Sequence, residues 1–225
     1  MQTTNEIVDY YDEVAPDYDH SRFGNSYGEF IDSQERTILT KSLKGIPRSR
    51  ILDMACGTGR FLNYADYGVD VSGKMLEIAK RKFPQASLFQ EDATKTHFES
   101  GTFSGIISFH FLMHLDKNTA KQVIDECGRI LENDGVLIVD FPSKHRKKLL
   151  GQKTEGWHTA NDYRLDELLA ISDHFRLRQY YGIMFLPIHR LPAGIKRALR
   201  GVDALLCRSF LKRYASYIVA ILERV

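Results

Sequence analysis

The stretch that most constrains this chain is Arg50 to Arg60, R-I-L-D-M-A-C-G-T-G-R. Ile51 and Leu52 supply an apolar run, Asp53 closes it, and Gly57 and Gly59 permit backbone angles and close approaches that other residues resist. The pattern predicts a buried strand that ends in a glycine-bearing turn and opens a helix, with main-chain N–H groups turned toward whatever docks there. A dinucleotide fingerprint, G-x-G-x-x-G, needs a small third residue for close helix-to-strand packing. Counting on from Gly57 and Gly59, that place falls on Leu62. The other frame is D-x-G-x-G-x-G, formed by Asp53, Ala55, Gly57 and Gly59 with alanine in the first glycine place. That alanine should be tolerated if its backbone angle is ordinary.

Three further stretches fall into step with this frame. They are Gly68-Val69-Asp70-Val71-Ser72, Gln90-Glu91-Asp92-Ala93, and Phe103 to Ser108 followed by Leu112-Met113-His114-Leu115. A fourth, Ile130 to Ile138, reads as a helix end, a turn and another strand. Together with the glycine turn, these stretches resemble the ordered motifs of class I S-adenosylmethionine-dependent methyltransferases over roughly half the chain. The resemblance implies an α/β, Rossmann-like fold: a seven-stranded sheet, mostly parallel with an antiparallel last strand, and helices on both faces. It also implies S-adenosyl-L-methionine as cofactor, with S-adenosyl-L-homocysteine as product. Asp70 would accept from both ribose hydroxyls, an ionised acceptor facing a vicinal diol. Asp92 would accept from the adenine amino group and the Ala93 N–H would donate to a ring nitrogen, with Val71 and Met75 against the flat base. Asp53, Ala55, Cys56, Gly57, Gly59, Ser108 and Phe109 complete the expected cofactor contacts of the core.

With 225 residues and 43% hydrophobic content, the chain suits one α/β domain spanning 1–225. Its expected parts are N-terminal helices forming a lid over 1–45, a cofactor-binding core over 46–142, and a substrate-side region with an inserted helix over 143–225. A net charge of +2 is too small to argue for nucleic acid, and no N-P-P-Y type turn follows the fourth strand. Three widely spaced cysteines without a C-x-x-C pair favour free thiols in a reducing cytoplasm. No secretory leader is expected from the polar N-terminus, and charges interrupt every apolar stretch before the about 18 residues that span a bilayer.

Tyr11-Asp12-Glu13-Val14-Ala15-Pro16-Asp17-Tyr18-Asp19 resembles the family's Y-x-x-x-A-x-x-Y-D segment before the core, which implies a lid with Tyr11 and Tyr18 facing the methionine end of the cofactor. The alternative is that these tyrosines staple a terminal helix. Methyl transfer from a sulfonium chiefly requires that the acceptor be held in line, with a base only where the acceptor must lose a proton. His110 and His114 flank the end of the fourth strand and are the candidate bases. No metal is expected, since His110-Phe-Leu-Met-His114 lacks the glutamate of H-E-x-x-H. His145, Trp157 and His158 fall in the variable connection expected to line the acceptor pocket.

Leu186 to Tyr214 is the least generic stretch. Ile195, Leu199, Val202, Leu205, Leu206 and Phe210 mark an apolar side, and Lys196, Arg197, Arg200, Arg208, Lys212 and Arg213 a basic one. The pattern suits a helix lying on anionic lipid, a wall for an acidic substrate, or a packed helix with a solvated basic side. The expected function is methyl transfer to an oxygen or nitrogen of a small-molecule acceptor. A lipid-linked or anionic acceptor at a membrane surface, and a non-catalytic cofactor-binding subunit, are the alternatives.

Overall fold

The computed structural model describes residues 4–151 and 162–225; Trp157 and His158 lie outside them. A single seven-stranded sheet runs through the described chain in the order β3-β2-β1-β4-β5-β7-β6. Its strands are β1 (Ile51–Met54), β2 (Tyr67–Asp70), β3 (Ser87–Gln90), β4 (Phe103–Ser108), β5 (Leu131–Pro142), β6 (Phe175–Ile183) and β7 (Tyr217–Arg224). Neighbours pair in parallel from β3 to β5, and β7 runs antiparallel between β5 and β6. The strand order reverses between β1 and β4, which places a crevice outside their carboxyl ends. The expected sheet and its antiparallel last strand are those observed.

The central strands read as unbroken apolar runs because both faces are covered. Alternation divides them: Ile106, Leu137, Val139 and Phe141 pack on one face, Ile107, Val136 and Ile138 on the other. Helix α5 (Lys117–Ile130) covers the first face with Val123, Ile124, Cys127 and Ile130; α3 (Ser26–Ser42) covers the second with Phe30, Ile31, Ile38 and Leu39. Side chains cap three of the helices. Asn25 accepts from the Tyr27 and Gly28 N–H groups ahead of α3, Ser72 from Met75 ahead of α4 (Gly73–Lys82), and Asp116 from Asn118 and Thr119 ahead of α5. The N-terminal arm adds α1 (Thr4–Val14) and α2 (Tyr18–Phe23). The later connections add α6 (Lys144–Leu149), α7 (Leu165–Leu169) and α8 (Ala193–Leu206).

Three local expectations are corrected. The glycine turn opens no helix: residues 57–64 form successive tight turns, with Gly59 N–H on Cys56 O at 2.9 Å, Leu62 N–H on Gly59 O at 3.1 Å and Tyr64 N–H on Phe61 O at 2.8 Å. The link to β2 is too short for an α-helix to cross, and three-residue turns satisfy the backbone instead. Ala55 does not have an ordinary backbone angle; its φ is +58°, the left-handed region that glycine occupies freely. Asn133-Asp134-Gly135 is not a turn between elements, because β5 already begins at Leu131, paired with Phe103. The pairing resumes at Gly105 and Val136, and Asp134 takes φ +62° in the bulge between.

Candidate active site

The crevice outside the carboxyl ends of β1, β2 and β4 is a cavity of about 290 Å³. Its polar side is set by the glycine turn and the end of β2. Asp70 Oδ2 accepts the Gly57 N–H at 2.7 Å, and its Oδ1 accepts the Ser72 N–H at 2.9 Å. Burial raises the Asp70 pKa above the ordinary carboxyl value, while the Ser72 and Gly57 N–H groups oppose that rise. Each carboxylate oxygen has two lone pairs, so a second pair stays on the cavity side of an anchored group. Asp92 is fixed in the same manner, by the Thr94 N–H and hydroxyl at 2.8 Å each.

Tyr11, Tyr18, Ala55, Gly57, Asp70, Val71, Met75, Asp92, Ala93, Phe109, His110 and His114 all line this cavity. Four expected contacts do not. Asp53 is 2% exposed behind the turn, where burial outweighs the nearby Arg60 and pushes its carboxyl up to about 8. Cys56 and Ser108 are likewise buried off the cavity. Gly59, at φ +82°, serves packing: a Cβ there would fall 2.8 Å from Leu62 Cδ1 and 3.2 Å from Ala79 Cβ. His145 meets Tyr214 at 5.8 Å between ring centres, outside this cavity.

The N-terminal arm lies over the crevice as expected of a lid. Tyr11 meets Tyr18 and His114 edge-to-face, each at 6.1 Å between ring centres. Two acids lash the arm down: Asp12 accepts the Ser72 hydroxyl at 2.5 Å, and Asp19 accepts the Thr58 hydroxyl at 2.6 Å and sits 2.5 Å from Lys82 Nζ.

At the opposite wall His110 has φ +55°, an uncommon conformation for a side chain of this size. Its N–H donates to Asp140 Oδ1 at 2.5 Å, which holds it there. Its Nε2 lies 2.8 Å from Glu35 Oε1 and its Nδ1 3.5 Å from Asp140 Oδ2, close ion-pair contacts without aligned hydrogen bonds. Glu35 and Asp140 are each 1% exposed. Burial disfavours the imidazolium, but the charges of Asp140 and Glu35 outweigh it and raise the His110 pKa above 6.5. Burial also opposes ionised Glu35, and there His110 and Arg60 prevail and lower its pKa. Arg60 completes the network at 2.6 Å from Glu35 and 2.9 Å from Asp32, with its guanidinium 4.0 Å from the ring centres of Phe23 and Phe61.

Ligand atoms of Glu35, His110 and Asp140 lie within 4.8 Å of one another. A metal ion there would stand beside the Arg60 guanidinium, so the group reads as an ion-pair network. Neither Glu35 nor Asp140 was among the candidates from sequence. The signal was present: Glu35 falls on the apolar stripe of Ile31 and Leu39, and Asp140 interrupts the run Val136 to Phe141.

Residues 52–139 match the methyltransferase domain family. A demethylmenaquinone methyltransferase of Renibacterium salmoninarum is 30% identical over 60% of this chain, a match that spans 58% of its own length. An uncharacterized protein of Methanocaldococcus jannaschii is 26% identical over 97% of this chain and 91% of its own. Among solved structures, magnesium protoporphyrin IX methyltransferase from Synechocystis with bound S-adenosylmethionine superposes with a TM-score of 0.69 at 14% identity, over 100% of this chain and 98% of that one. The fit to the cofactor is independent of these names. The anchored carboxylates of Asp70 and Asp92 and the apolar side chains of Val71 and Met75 meet in one cavity, and Gly57 adds no side chain to the wall.

Proposed function

We propose that the chain methylates an oxygen or nitrogen of a small-molecule acceptor, held at the histidine end of the cavity under the tyrosine lid. The observation that carries this reading is that His110 and His114 line the same cavity as Asp70 and Asp92, beside Phe109 and Phe111. S-adenosylmethionine, when bound, supplies an electrophilic methyl group on a good, neutral leaving group. The protein's own work is then placement. Asp70, Asp92 and Ala93 hold the nucleoside end, Tyr11 and Tyr18 cover the crevice and exclude water, and the aromatic wall orients the acceptor.

The two histidines divide the remaining work. His110, with its ring nitrogens facing Glu35 and Asp140, is held in place and shapes the acceptor end of the cavity. His114 takes the proton that an acceptor O–H or N–H must lose. A screen of phenols, amines and carboxylic acids for S-adenosylhomocysteine formation tests this. The expected result is turnover with at least one class, reduced on the order of a hundredfold in His114→Gln with cofactor affinity unchanged. Absence of turnover across the screen, in protein that binds the cofactor, would remove the reading and favour a non-catalytic cofactor-binding subunit. The relative named as a demethylmenaquinone methyltransferase favours a second reading, a quinone-type ring as acceptor, so a reduced quinone belongs in the same screen.

A further inference from the structure

Six of the seven large hydrophobic side chains exposed among the described residues lie in two segments. Leu149 and Leu150 are 69% and 53% exposed at the end of α6; Ile195, Val202, Leu205 and Phe210 are 51%, 46%, 71% and 84% exposed in and after α8. Within α8, Ile195, Ala198, Val202 and Leu205 recur at helical spacing and are all exposed, so they form one outward stripe. The helix is held in this orientation from beneath. Asp203, fully buried, accepts Gln34 Nε2 at 2.8 Å and the Leu186 N–H at 2.7 Å.

The topology brings these segments to one rim. Pro142 at the end of β5, Ile183 at the end of β6 and Tyr217 at the start of β7 stand abreast in the sheet. Helix α6 follows the first, and α8 with its flanks connects the other two. Side chains join them: Arg146 donates to the carbonyls of Phe185 at 2.8 Å and Tyr214 at 3.0 Å, and the Ser143 hydroxyl to that of Arg213 at 2.5 Å. This is also the carboxyl end of β1 and β4, so the rim lies at the same end of the sheet as the crevice.

Its charge selects what can cover it. Residues 143–151 and 186–214 carry eleven of the chain's 31 lysines and arginines but only one of its 29 acidic residues, the buried Asp203, in a chain whose net charge is +2. Lys148, Arg200, Arg208 and Arg213 are exposed on these segments. A second copy of the chain docked through the same face would bring basic rims together. An anionic lipid surface would take the apolar stripe between its head groups and the cations against its phosphates. We propose that this rim docks the protein on anionic membrane surfaces, with α8 lying in the interface plane. None of the described helices is long and apolar enough to cross a membrane, which suits a chain that lies on the bilayer.

The test is vesicle flotation of the full chain without acceptor, so it stands apart from the acceptor reading. The vesicles are phosphatidylcholine alone or mixed with phosphatidylglycerol. Co-flotation with the anionic mixture at low salt, its loss at high salt, and a fall on the order of tenfold in Val202→Glu/Leu205→Glu and in Arg208→Glu/Arg213→Glu are expected. These positions are exposed and outside the cavity, so cofactor affinity measured by calorimetry should be unchanged and certifies the fold. Failure to float with the anionic vesicles would overturn the proposal, as would flotation undiminished in the Val202/Leu205 variant. A dimer in sedimentation that this variant dissolves, with no flotation of the parent, would assign the stripe to a second copy and likewise overturn it.

Discussion

Glu35→Gln removes one charge from a nearly isosteric side chain at the centre of the buried network. In the parent, Glu35 sits 2.6 Å from Arg60 and 2.8 Å from His110 at 1% exposure. Breaking a buried ion pair by deleting one partner costs about 3–5 kcal/mol. Arg60 keeps Asp32 at 2.9 Å and its place between Phe23 and Phe61, so about 2–3 kcal/mol is the expected loss by urea denaturation near neutral pH. The loss should depend on pH. His110 has its pKa raised above 6.5, so its contribution is complete below that value and drains away as pH rises through the folded-state pKa. Glu35 has its pKa lowered from 4.5, so its contribution is complete above that value and is lost as pH falls through the folded-state pKa. The pair therefore stabilises the fold between these two limits, and the variant's deficit should be greatest there and shrink on the alkaline side. A deficit below about 0.5 kcal/mol, the range of ordinary surface substitutions, or one flat from about pH 6 to well above the histidine range, would refute a charged His110 held by Glu35.

Other outcomes follow from the same geometry. Asp70→Ala should weaken S-adenosylmethionine binding by about 2–4 kcal/mol in calorimetry, because it removes charge-assisted acceptors and frees the Gly57 and Ser72 N–H groups. Ala55→Gly should stabilise the fold by about 0.5–1 kcal/mol, since relief of the left-handed alanine exceeds the added chain entropy of glycine; thermal denaturation reads this out. Gly59→Val should destabilise by about 3 kcal/mol or more, joining a positive φ to the clash with Leu62 and Ala79. Ser72→Ala should loosen the N-terminal arm, losing its bond to Asp12 and its cap on α4, which limited proteolysis near Tyr11 would register as faster cleavage.

Much of the site was legible along the chain because its parts are local. A parallel strand covered on both faces is an apolar run, and the acid that ends it lies at the carboxyl rim by construction. Asp70 ends β2 in this way, whereas Asp92 lies two residues beyond the edge strand β3 and was marked by its resemblance to the family's third motif. What escaped is what needs the third dimension. Glu35, Arg60, His110 and Asp140 come from α3, the glycine turn, the loop after β4 and β5, and only the assembled sheet brings them together. Ala55 shows a different limit: a methyl group looks innocent in sequence, and its cost appears only with the sign of φ. The missing first helix and the early start of β5 were obscured by turn residues that serve a chain of tight turns in one case and a bulge in the other.

Calorimetric titration of the purified protein with S-adenosylmethionine, S-adenosylhomocysteine and NAD tests the cofactor site most directly. Micromolar binding of the first two, about −8 kcal/mol, and no heat with NAD is the expected result. Binding of NAD in their place, or silence with both sulfur nucleosides, would contradict the assignment of Asp70, Asp92 and the glycine turn to this cofactor.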